Sequence, residues 1–228
     1  MKKNVLITGA SGNLGKASVE KFLKEGYNVI ATVSPGKSLR YGDNVKTYEV
    51  DLTNESAVAS VIEQIIGDYS TLDAALLLVG GFAIGSIEKT DGALIKKMFA
   101  LNFETAYYVA RPVFQQMLKQ SDGGRIVLVG SRPALNPKDG KNTVAYSLSK
   151  SLIFRLAEIL NAEGASKNVT SSVIVPSIID TPENRSAMPD SDFSKWVKPE
   201  DIADTMHYVC SPSGQALRET VLKVYNKS

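Results

Sequence analysis

This chain is poor in the side chains on which several chemistries depend. Its 228 residues include one cysteine, Cys210, and one histidine, His207. A single cysteine excludes an internal disulfide framework and fits a reducing, cytoplasmic compartment. A single histidine argues against a His-based metal centre and against a Ser-His-Asp triad, so no metal site is expected. Cys210 falls in an apolar helical pattern near the end of the chain, where a buried structural role is expected, and His207 sits on the same helix. No apolar run approaches the ~20 residues of a membrane span. Met1-Lys2-Lys3 leads straight into the first apolar run, so no signal peptide is expected. Neither sign of charge dominates, with 26 Lys and Arg against 24 Asp and Glu and a net charge of +2. Without a dense basic cluster, nucleic acid is not an expected partner. Internal repeats and low-complexity segments are absent too.

Glycine turns and apolar runs give the chain its plan. Asn4-Val5-Leu6-Ile7 precedes Thr8-Gly9-Ala10-Ser11-Gly12-Asn13-Leu14-Gly15, and an amphipathic pattern with Ala17, Val19, Phe22 and Leu23 follows. Strand, glycine-rich turn and helix in that order make a site for a nucleotide phosphate, which sits on the amides of the helix N-terminus. The spacing is Gly-x-x-Gly-x-x-Gly rather than the common Gly-x-Gly-x-x-Gly. Further strands are expected near Val29–Val33, Lys46–Val50, Ala74–Val79, Ile126–Val129, Ser172–Val175 and Val221–Val224. Helices are expected at Ser56–Ile66, Ile95–Lys119, Ala145–Gly164 and Pro199–Cys210. Near-continuous Val/Ile/Leu strands alternating with helices predict a parallel sheet buried on both faces. The fold class is therefore α/β: a single doubly wound Rossmann-type domain over residues 1–228, with about seven strands and helices on both faces. Residues 177–198 differ in kind, being polar, with Pro182 and Pro189 and isolated apolar Met188, Phe193 and Trp196. Following a strand's C-terminal end, where ligands bind in such sheets, they are expected to form a substrate lid.

Tyr146 and Lys150 lie four residues apart in the third of those helices, which places phenol and ammonium on one face. An adjacent positive charge favours the phenolate. Bringing a tyrosine from its usual pKa of ~10 to neutrality takes ~4 kcal/mol. Ser131 follows the strand that ends at Val129. Its neighbours Gly130 and Arg132-Pro133 do not form the Gly-x-Ser-x-Gly elbow of hydrolases. On its own the Tyr-x-x-x-Lys pair is common on surface helices; with the glycine turn it suggests a proton-transfer apparatus.

These residues together resemble the short-chain dehydrogenase/reductase family almost end to end. Asn102, Ser131, Tyr146 and Lys150 match its catalytic tetrad in order and spacing, and Asp51-Leu52-Thr53 resembles its adenine-holding segment. Val79-Gly80-Gly81 stands where many members have Asn-Asn-Ala-Gly and looks more like the dihydropteridine reductase branch. Pro176 to Pro182 matches the segment after the sixth strand, with Ser177 replacing the usual glycine. The cofactor site so implied comprises Gly9, Ser11, Gly12, Asn13, Leu14, Ser34, Lys37, Asp51, Leu52, Gly80, Gly81, Tyr146, Lys150, Pro176, Ile179 and Thr181.

The resemblance implies hydride transfer between a nicotinamide and a small carbonyl or alcohol. Tyr146 would exchange the proton, Ser131 would fix the substrate oxygen, and Lys150 would lower the Tyr146 pKa and bind the ribose. Asn102 would hold a water linking Lys150 to solvent. NAD-binding members carry an acid at the end of the second strand, for the ribose 2′-hydroxyl. Val33 stands there, with Ser34, Lys37 and Arg40 nearby to meet a 2′-phosphate, so NADP is expected and NAD is the alternative. Gly12 departs from this, because NADP-preferring relatives often carry a basic residue at that place. Two other readings compete: a catalytically silent dinucleotide-binding sensor or scaffold, and an epimerase or dehydratase of the same superfamily. Adjacent apolar residues on the two long helices, Tyr107-Tyr108 and Ile153-Phe154, point in different directions and predict a homodimer or homotetramer.

Overall fold

The computed structural model describes residues 2–39 and 41–227. Seven strands form one parallel sheet: β1 (Asn4–Ile7), β2 (Asn28–Val33), β3 (Val45–Glu49), β4 (Ala74–Leu77), β5 (Gly124–Val129), β6 (Val169–Pro176) and β7 (Val221–Val224). Their spatial order is β3-β2-β1-β4-β5-β6-β7. The helices are α1 (Asn13–Lys24), α2 (Glu55–Tyr69), α3 (Gly92–Phe99), α4 (Thr105–Met117), the short α5 (Arg132–Leu135) and α6 (Pro137–Gly140), α7 (Val144–Gly164), α8 (Pro182–Ala187) and α9 (Pro199–Cys210).

Side chains alternate across the sheet and build two apolar layers. Leu6, Ile30, Leu128 and Val173 point to α2, α4 and α7, where Val58, Ile62, Val109, Val113, Ile153 and Leu156 meet them. Val5, Ile7, Val29 and Ile174 point the other way, to Val19 and Phe22 of α1 and Ile202 and Met206 of α9. Fully burying a side chain of this size contributes ~1.5–3 kcal/mol, so both layers are needed to offset chain entropy. Local signals agree with the packing: Asn54 caps α2 by accepting from Ala57 N, and Asp91 caps α3 by accepting from Leu94 N. The chain reverses between β1 and β4, which are neighbours in space. At such a switch point the strand C-termini open a crevice.

The structure differs from the sequence expectation in three places. Ile95–Lys119 is not one regular helix; α3 and α4 are joined by a π-helical turn over Ala100–Glu104. Residues 177–198 are partly ordered by α8, by a 3₁₀ turn at Phe193–Lys195 and by a bridge between Ile179 and Val197. Trp196 is buried there rather than isolated, with the Phe193 ring at 4.7 Å. The apolar surplus on the long helices is also smaller than expected, because Val113, Phe114, Met117, Ile153 and Leu156 are buried within the chain. Tyr107 and Ile159 stay exposed. They border a groove of about 530 Å³ between α4 and α7, with Phe114, Leu118 and Leu152 in its walls.

Candidate active site

The expected site residues follow the C-terminal ends of β1 to β6, and a parallel sheet gathers all of these ends along one edge. Thr8 fixes the first turn: its hydroxyl accepts from Leu78 N at 2.9 Å and donates to Leu76 O at 3.3 Å, tying β1 to β4. Gly9 takes φ +64°, and a Cβ there would meet the Val79 side chain at 2.9 Å, so only glycine suits the turn. Gly12 begins α1 with no side-chain cap and no acid in the first turn. Amides left in this way fit the pyrophosphate of a dinucleotide.

On the far side of β1 the Ser34–Lys37 loop leaves β2, with Ser34 and Lys37 exposed and Val33 buried. Arg40 lies outside the described residues. Asp51 accepts from both the backbone and hydroxyl of Thr53, at 2.9 and 2.7 Å. These bonds hold its carboxyl below the usual range, and Leu52 beside it is buried.

The other half of the edge carries the polar cluster. Asn102 is fully buried in the π turn. Its side chain clasps the Gly81 backbone, accepting from Gly81 N at 2.9 Å and donating to Gly81 O at 3.0 Å. It also donates to Ser149 Oγ at 3.1 Å, and Ser149 donates to Tyr146 O at 2.8 Å. Asn102 therefore braces the β4 loop against α7, a contact the expected water-holding role did not include. Lys150, 6% exposed, donates from Nζ to Val129 O at 2.8 Å. Gly80 lies between these groups. A Cβ on it would stand 2.6 Å from Asn102 Oδ1 and 3.2 Å from Lys150 Nζ.

Ser131 follows β5, and its hydroxyl is buried with no hydrogen bond of ordinary geometry. It lies near enough to the Tyr146 phenol to pull that pKa down, but burial of the phenol outweighs it and raises the pKa above the usual value. Lys150 is held by its bond to Val129 O. Its own pKa is pushed down to about 8 by burial. A buried hydroxyl facing a phenol is costly unless a further polar atom completes it. Such a pair fits an incoming carbonyl or alcohol oxygen.

Beyond β6, Ser177 is tied to the tail through Tyr225 O at 2.8 Å, and Thr181 caps α8. Asn184 donates to Ile179 O at 2.8 Å. Three residues at this edge escape the sequence reading. Glu183 accepts from Asn13 Nδ2 at 2.8 Å, joining the segment after β6 to the glycine turn across 170 residues of sequence. Phe82 is 63% exposed yet sets its ring edge-on to Tyr146 at 5.0 Å. The only signal for it is an aromatic residue directly after Gly81. Glu49, at the end of β3, accepts from Gly36 N at 3.1 Å. Cys210 is buried, as expected. The Cys210 thiol is buried and pushed up to about 12, and His207 packs edge-on to Phe22 and Tyr27.

A family described as short chain dehydrogenase matches residues 3–192. Among curated proteins, the chain is 29% identical over 210 residues to a dihydropteridine reductase of Dictyostelium discoideum, covering 90% of this chain and 87% of that one. It is 26% identical over 241 residues to an acetoacetyl-CoA reductase of an Acinetobacter strain, covering 98% and 96%. Among solved structures, ElxO with NADP bound superposes with a TM-score of 0.88 at 23% identity, over 98% of this chain and 97% of that one. Among the described residues no helix is long and apolar enough to cross a membrane, and no cluster of ligand side chains could hold a metal ion.

Proposed function

The chain belongs to the short-chain dehydrogenase family and is an NAD(P)-dependent oxidoreductase acting on small molecules; from that premise we propose that it reduces a small carbonyl, or oxidises the matching alcohol, with NADP(H) as cofactor and Tyr146 as the acid or base. The observation that carries this reading is the buried Ser131 hydroxyl, without a hydrogen bond of ordinary geometry, facing the Tyr146 phenol. When bound, the nicotinamide supplies or accepts the hydride. Ser131 donates to the substrate oxygen and fixes its place, a pre-set contact that strengthens as charge gathers there. Tyr146 gives its proton to that oxygen during reduction and takes it back during oxidation. Lys150, with a pKa of about 8, holds the ribose hydroxyls and brings a positive charge near the phenol at neutral pH. Asn102 keeps Gly81 and α7 in their relative places. Ser34 and Lys37 meet the 2′-phosphate, Asp51 and Leu52 the adenine, and Pro176, Ile179 and Thr181 the nicotinamide end.

Phe82 forms an apolar wall beside Tyr146, which favours a flat or apolar substrate such as a pterin-like ring. Residues 177–198 act as the lid, supported by the Glu183 contact to Asn13. A pair of chains joined along the α4–α7 groove covers Tyr107 and Ile159.

Tyr146→Phe is the direct test. Loss of a general acid lowers turnover by 10²–10⁴-fold, so a drop of about 10²-fold or more is expected on any carbonyl that the wild type reduces. NADPH affinity should stay near wild type. Near wild-type turnover in the variant would refute the assignment.

A further inference from the structure

The acid missing at the end of β2 is delivered from the next strand. β2 and β3 run in parallel register, with Val33 opposite Glu49. Register partners on neighbouring strands send their side chains to the same face. Val33 is buried at 2% exposure, while Glu49 is exposed. The Glu49 carboxylate does not simply extend into solvent. Its Oε2 accepts from Gly36 N at 3.1 Å, in the loop that begins at Ser34. That loop closes on itself through Lys37 N and Ser34 O at 3.0 Å, and Gly36 adopts φ +77°. The turn therefore offers an amide donor that already holds an anion, beside the position where an acid would select the 2′-hydroxyl.

We infer that Glu49 is the specificity-determining residue for the ribose 2′ position, its carboxylate standing on the Gly36 amide that a 2′-phosphate must take. This rests on the dinucleotide reading proposed above. A 2′-phosphate meets a negative charge and a donor already in use, while a 2′-hydroxyl meets an acceptor. Selectivity is then a balance between Ser34 and Lys37, which favour the phosphate, and Glu49, which opposes it. Glu49→Gln removes the charge, and Glu49→Ala also frees the amide. Being exposed, the position tolerates both changes without loss of core packing.

The test is binding rather than turnover. Calorimetry on the full chain with adenosine 2′,5′-bisphosphate and adenosine 5′-monophosphate isolates the 2′-phosphate, and fluorescence titration with NADPH and NADH repeats the comparison. Both variants should bind the bisphosphate and NADPH about 10-fold more tightly, as removing a like charge predicts, while the monophosphate and NADH stay unchanged or weaken by a few-fold as the 2′-hydroxyl loses its acceptor. The gain should shrink when salt is raised from about 0.05 to 0.5 M, because the pair is at the surface. An equal shift for all four ligands would make Glu49 a loop anchor only and overturn the inference, as would an unchanged ratio. If the wild type prefers NADH while the variants still gain only for the phosphate-bearing ligands, the NADP preference fails and the inference stands. If the wild type binds none of the four, the dinucleotide reading and the inference fail together.

Discussion

Lys150→Met should make the cofactor-free protein more stable at neutral pH while abolishing turnover. Burial lowers the Lys150 pKa from 10.5 to about 8. At about 1.4 kcal/mol per tenfold, that gap amounts to ~3 kcal/mol against the charged form at pH 7. Methionine removes the charge and keeps most of the volume. It leaves Val129 O without the Nζ donor at 2.8 Å, a loss of ~1 kcal/mol. The net expectation is a gain of roughly 1–2 kcal/mol at pH 7. The sign changes with pH. Folded Lys150 binds its proton more weakly than the unfolded chain does, so wild-type stability rises between pH 8 and 10.5. Below that window the penalty is complete, and above it the penalty is gone. The variant lacks this rise and should fall ~1 kcal/mol below wild type near the upper end. Urea unfolding at fixed protein concentration, followed by fluorescence of the single, buried Trp196, measures both chains across the range. A variant less stable than wild type at pH 7 would refute the reasoning. So would a stability difference that stays constant from pH 7 to 10.5.

Titration of both dinucleotides should show tighter binding of NADPH than NADH, and Val33→Asp should move the preference toward NADH; an unmoved ratio would remove Val33 from the selectivity argument. Phe82→Ala should raise KM by about 5-fold for flat substrates and leave cofactor affinity alone, since an aromatic contact to a flat ring is worth ~1 kcal/mol; a change confined to kcat would contradict the wall. Light scattering at micromolar concentration should give at least twice the 24.6 kDa of one chain, and Ile159→Lys in the α4–α7 groove should reduce it toward that mass.

Periodicity carried most of the fold, because every strand except β3 and β7 is buried nearly throughout and holds an apolar run of three residues or more. Strand ends shifted by up to three residues, as at β6, whose Thr170 and Ser171 are buried polar residues that break the run. The tetrad and the glycine turn were legible because their spacing is local. What escaped depends on distant parts of the chain. Neither the Glu183 contact to Asn13 nor the Glu49 contact to Gly36 has a local pattern. The direction of the Tyr146 pKa also escaped, because spacing shows Lys150 as a neighbour but does not show how deeply the phenol is buried. The apolar surplus of α4 and α7 was overread for a related reason. Ile153 meets the sheet and Phe154 lies against Gly130, so two neighbouring residues are both accommodated within one chain.

The π turn at Ala100–Glu104 has a consequence for how this stretch can change. Met98, Asn102 and Ala106 all face inward, though in a regular helix residues spaced by four drift apart by about 80° over two steps. The wider turn takes up that drift, so one continuous rod serves both the crevice at Gly81 and the apolar layer beneath α4. Deleting any one residue between 100 and 104 would restore the ordinary pitch, and the two ends would then be out of phase. Either Asn102 would swing off the Gly81 backbone or Val109 and Val113 would turn from the sheet. Length in this stretch is therefore held more tightly than most of its side chains: substitutions at exposed positions of α3 and α4 can accumulate, whereas a single-residue insertion or deletion would separate the crevice from the core in one step.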